Sequence, residues 1–99
     1  MAGKANSNIA RRLKDLAGVG PATLRHFDEL GVRSVEHLAR QDPQELYARL
    51  GRLKGVRIDP CCLDGFTCAV AQARDPNLPD EKCKWWYWSR VRKSARSGL

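Results

Sequence analysis

The sequence predicts an all-α fold of about five short helices. Apolar residues recur at spacings of three and four in successive runs, while no stretch alternates apolar and polar residues long enough for a sheet. Helix starts are also written plainly, as a cap residue followed by proline at Asp42–Pro43 and again at Asp59–Pro60. Ninety-nine residues, 42% hydrophobic and 29% charged, suit one domain with one core.

Residues 1–7 read as a disordered leader. Ser7 or Asn8 caps a first helix with Ile9, Leu13 and Leu16 on one face, ended by Gly18. Pro21 suits the first position of a second helix, which carries Leu24, Phe27 and Leu30 and stops at Gly31. Ser34 caps a short third helix with Val35 and Leu38. Asp42, with Glu45 three residues on, starts a fourth whose inner face is Leu46 and Leu50, with Leu53 as a further candidate and Tyr47 beside them. The Asp59 start opens a fifth, lined by Leu63, Phe66, Val70 and Ala73. A proline-containing loop, "RDPNLPDEK", leads to the aromatic segment "CKWWYWSR". The folded unit is then 8–88, and 89–99 is a basic tail expected to be mobile.

The net charge of +7 is unevenly spread. Residues 1–12 hold three basic residues and no acids, and residues 82–99 hold six and no acids, while the middle is near neutral. Such ends suit nucleic acid; solvation of frayed termini is the plainer account. No apolar run approaches the roughly 20 residues of a membrane helix, and the N-terminus lacks the apolar centre of a secretory signal. The expectation is a cytoplasmic protein with no membrane partner, whose four cysteines are thiols.

"GVGP", residues 18–21, sits between two helical patterns. A helix start presents unpaired N–H groups and partial positive charge, and glycines before it let an anion reach the backbone. Val19 between them can point inward and pin the turn to the core. The chemistry on offer is phosphate recognition by amides, which is indifferent to base sequence. Of the nearby charges Lys14 and Arg25 help, while Asp15, Asp28 and Glu29 oppose.

The stretch "LAGVGPATLRHFDELGVRSVEHL" resembles the helix-hairpin-helix motif of DNA polymerase β, DNA ligases and repair nucleases. The resemblance implies a SAM-like helix-hairpin-helix core that grips DNA without sequence preference. It places amide donors at Gly18, Gly20, Ala22 and Thr23, with Val19 in the hairpin and Arg25 near the phosphates. It also implies a monovalent cation on the carbonyls of Lys14, Leu16 and Val19. "DPQELYARL", "RIDPCCLDGFTCAVAQA" and "KWWYW" are similar to the small bacterial proteins of the pathogenicity-locus, mitomycin-resistance-like family, over roughly residues 9–88.

Cys61, Cys62, Cys68 and Cys83 lack the paired spacing of a zinc site. Cys68 reads as a small buried hydrophobe. Cys61 lies in the first turn of a helix, where the dipole favours a thiolate, but the Asp59 charge opposes it. His26 and His37 have no ligand or triad spacing. The four aromatics Trp85–Trp88 read mainly as seals for the core; any left exposed among the cations suit unpaired bases or a protein partner. The function expected is non-enzymatic, sequence-independent DNA binding, in repair or protection of DNA. The alternative is a protein-interaction module, a homodimer among the options, using the tryptophan-rich segment.

Overall fold

A computed structural model describes residues 12–97. Among these the fold is all-α: five helices, two 3-10 turns and no strand. The helices are α1 (Pro21–Glu29), α2 (Val35–Ala39), α3 (Pro43–Lys54), α4 (Pro60–Arg74) and α5 (Trp85–Ser97). The 3-10 turns are Leu13–Asp15 and Asp80–Cys83.

The punctuation visible in the sequence acts as expected. Ser34 Oγ accepts the amide of His37 at 3.0 Å, Asp42 Oδ1 that of Gln44 at 2.9 Å, and Asp59 Oδ1 that of Cys61 at 2.8 Å. Gly31, at φ 79°, ends α1 in a Schellman arrangement. There the Val32 amide donates to Phe27 O at 2.8 Å and the Gly31 amide to Asp28 O at 3.1 Å.

α4 is the centre of the fold, with α2, α3 and α5 packed around it. Phe66, Cys68, Ala69, Val70 and Ala73 are buried on it, and Phe66 stacks on Phe27 of α1 at 5.5 Å. Leu16, Leu30, Val32, Val35, Leu38, Leu46 and Leu50 complete the core. Two arginines close helix ends at the edge of this packing. Arg49 donates to Leu30 O at 2.9 Å, and Arg74 donates to Ala39 O and Gln41 O at 2.9 and 3.0 Å.

Three expectations need correction. The first helix, expected from residue 8, lies in part outside the described residues, at 8–11. Within them it is a single 3-10 turn, closed by the Asp15 carboxylate accepting the Arg12 amide at 2.8 Å, and Leu16 is already extended. Leu53 is exposed rather than inward, because it sits in the last turn of α3 beside a surface groove with Glu29 and Arg52. The basic stretch after Arg90, expected as a mobile tail, continues α5. Ser89 is buried, and the Arg92 guanidinium makes a bidentate pair with Asp64, its Nε 2.9 Å from Oδ1 and its Nη2 3.0 Å from Oδ2. A carboxylate buried in α4 thus requires the cation that the sequence reading assigned to solvent. No helix among the described residues is long and apolar enough to cross a membrane.

Candidate functional site

The glycine turn is built outward from the core. Leu16 is buried, and its carbonyl accepts the Val19 amide at 3.2 Å, folding the chain back on itself. Gly18 takes the left-handed conformation, φ 81°, that a side chain would strain. Val19 packs against the core, as expected. Gly20 is extended, φ −100°, and hands over to Pro21 at the first position of α1. Nothing in the fold lies within 4 Å of where a Cβ on Gly18 or Gly20 would project.

A residue the sequence reading passed over fixes this turn. Gln72, buried on α4, takes the Ala17 amide on Oε1 and returns Nε2–H to the Ala17 carbonyl, both at 2.9 Å. Its signal was a lone polar side chain within an apolar helical run, but no local pattern could name a partner 55 residues away.

The amides of Gly18, Gly20, Ala22 and Thr23 have no acceptor among the described residues. α2, α3 and α4 each satisfy such a group with a side-chain oxygen, whereas α1 starts on a glycine and has none. Arg25 is exposed in the first turns of α1, and Lys14 is exposed before the loop. The acids that oppose them in sequence are engaged: Asp15 with the Arg12 amide, Asp28 with Arg33 at 3.8 Å, and Glu29 with Lys54 at 3.0 Å. The cation-ligand set fits less well. Of the carbonyls of Lys14, Leu16 and Val19, that of Leu16 is committed within the turn.

None of the four consecutive aromatics joins the core, contrary to the sealing role expected of them. Trp85 and Trp86 are exposed. Arg90 lies over the Trp86 ring at 5.1 Å, Tyr87 meets Trp88 edge-on at 5.0 Å, and the Trp88 indole N–H donates to Lys82 O at 2.8 Å. Trp85 borders a groove of about 250 Å³ that it shares with Gly18 of the turn, Thr23 of α1, and Cys61, Cys62, Gly65 and Phe66 of α4.

The cysteines carry free thiols. Hydrogen bonding to Asp59 holds the exposed Cys61 thiol above its ordinary range. Cys68 is buried as expected, and burial pushes it up to about 11. Cys62 is raised chiefly by burial, and its Sγ lies 4.0 Å from His26 Nδ1, a neighbour that only folding reveals. His37 is half-buried in α2, its amide taken by Ser34.

Fold and turn together define a small all-helical protein organised round one central helix, with a cluster of open backbone amides at one edge. The chain belongs to the pathogenicity-locus family, whose family model matches residues 6–94 and so includes most of α5. It is also 37% identical over 86 residues to a protein of Streptomyces lavendulae named mitomycin resistance protein McrB, covering 87% of this chain and 78% of that one. No solved structure matches it.

Proposed function

We propose that the protein binds DNA without regard to sequence and without catalysis, through the amides of the glycine turn. The turn and α1 act as the hairpin and second helix of a helix-hairpin-helix unit. The observation that carries this reading is the start of α1. At the other side-chain-capped helix starts an oxygen of the protein sits on the free amides, whereas at α1 glycine leaves them open to an external oxygen anion. The exposed side chains of Lys14 and Arg25 add charge beside it, and phosphate contacts of this kind carry no base information. The relative's name adds resistance to mitomycin as a whole-cell property to measure.

The test is a titration of labelled duplexes of unrelated sequence, at several salt concentrations, with the parent and with Gly20→Asp. Asp at this position caps α1 from within and places a carboxylate where the phosphate would sit. Equal affinity for all sequences, weakened by salt and lost in Gly20→Asp, supports the reading. An unaltered affinity in a folded Gly20→Asp protein sinks it. In cells, the parent would raise survival under mitomycin and the variant would not.

A second reading rests on the exposed apolar side chains Trp85, Trp86 and Val91 of α5, which suit a protein partner or a second copy. Sedimentation of the parent across a concentration series tests the second copy.

A further inference from the structure

The groove beside the glycine turn contains an aromatic ring that the fold does not use. Trp85 is 44% exposed. Among the described residues its ring meets no other ring, no cation and no hydrogen-bond acceptor, while Trp86, Tyr87 and Trp88 are each engaged. α4 lines the groove with Cys61, Cys62, Gly65 and Phe66. Glycine within a helix is unfavourable, and packing does not demand it at Gly65, since nothing lies within 4 Å of where its Cβ would project. What the missing side chain does is leave the groove open. At about 250 Å³ the groove suits one planar ring rather than a double helix.

Charge decides what kind of ring. Lys82 and Lys84 lie just before Trp85 in the chain, and residues 82–99 hold no acid. Asp59, two residues before Cys61, accepts the Cys61 amide and keeps its negative charge, so the α4 end of the groove is the acidic one. Its hairpin end has the open amides of Gly18 and Thr23. A ligand that lays a ring on Trp85 and its negative charge toward the turn satisfies both ends; a neutral apolar peptide uses neither the cations nor the amides.

We propose that this groove receives an unpaired nucleobase, stacked on Trp85, while the turn holds the adjoining phosphate. The proposal rests on the DNA reading above and narrows it to DNA with a single-stranded tail in preference to blunt duplex.

The experiment compares one duplex, blunt or carrying a short unpaired tail, at one low salt concentration. The parent should bind the tailed form about tenfold more tightly, the scale of one base stacked on an aromatic ring. Trp85→Ala and Gly65→Leu should each remove that gain and leave blunt-duplex affinity as in the parent, and Trp85→Phe should keep most of it. Melting curves accompany each variant. Gly65→Leu replaces a helix breaker with a helix former, so at least one groove-blocking variant stays folded. Equal affinity for the two DNAs, or a tail preference that survives in both variants, overturns the base site while leaving the duplex reading standing. Failure of the parent to bind either DNA overturns both.

Discussion

Gly18 and Gly20 stand two residues apart and do different work. Gly18 is there for its backbone, since at φ 81° a side chain is strained whatever surrounds it. Gly20, at φ −100°, is a conformation any residue adopts. Its value lies in the absence of a side chain over the amides. Gly20→Asp therefore separates stability from binding. As a true N-cap it should raise unfolding free energy by a few tenths of a kcal/mol over glycine, measured by urea denaturation, while DNA affinity falls. A variant that loses both would mean that the extended conformation at this position is not tolerated after all. The same capping chemistry already operates at Asp59, where the carboxylate sits on the Cys61 amide and holds the Cys61 thiol above its ordinary range.

At the scale of elements, α5 is the least expected part of the fold. Asp64 is 1% exposed, and its two oxygens are met by Arg92 alone among the described side chains. Removing that partner leaves a buried carboxylate unpaired, so Arg92→Ala should destabilise the protein by about 3 kcal/mol. Chemical denaturation checks this, and a loss under about 1 kcal/mol would show that water replaces the guanidinium at little cost. α1 to α4 were legible in the sequence because their signals are local. Ser34, Asp42 and Asp59 cap within three residues, and Gly31 and Gly55 terminate where the apolar runs stop. α5 was not, because its cations read as solvated tail while the buried acid that binds one of them lies 28 residues earlier. The candidate site was half legible. The glycine turn announces itself, but the approach of Trp85 to it depends on how α5 lies across α4, which no spacing encodes.

For the whole molecule, the +7 net charge does not say which cations are placed to meet a polyanion. Arg49, Arg74 and Arg92 are spent closing helix ends and neutralising Asp64, and Lys54 is paired with Glu29. Lys14 and Arg25 at the turn, with Lys84 and Arg90 on the α5 side, are the cations that the proposed site brings to phosphates. The logarithm of duplex affinity should thus fall with the logarithm of salt at a shallow slope of about −2 to −4. A slope near −8 would mean that basic residues well away from the turn also meet the duplex. The bond between Gln72 and Ala17 has a consequence for motion as well. It makes Ala17 a slow amide in a loop of fast ones: its N–H is tied to a helix buried in the core, whereas those of Gly18 and Gly20 are free. In deuterium exchange Gly18 and Gly20 should label within the dead time, while Ala17 should wait for α4 itself to open and report the stability of the entire domain.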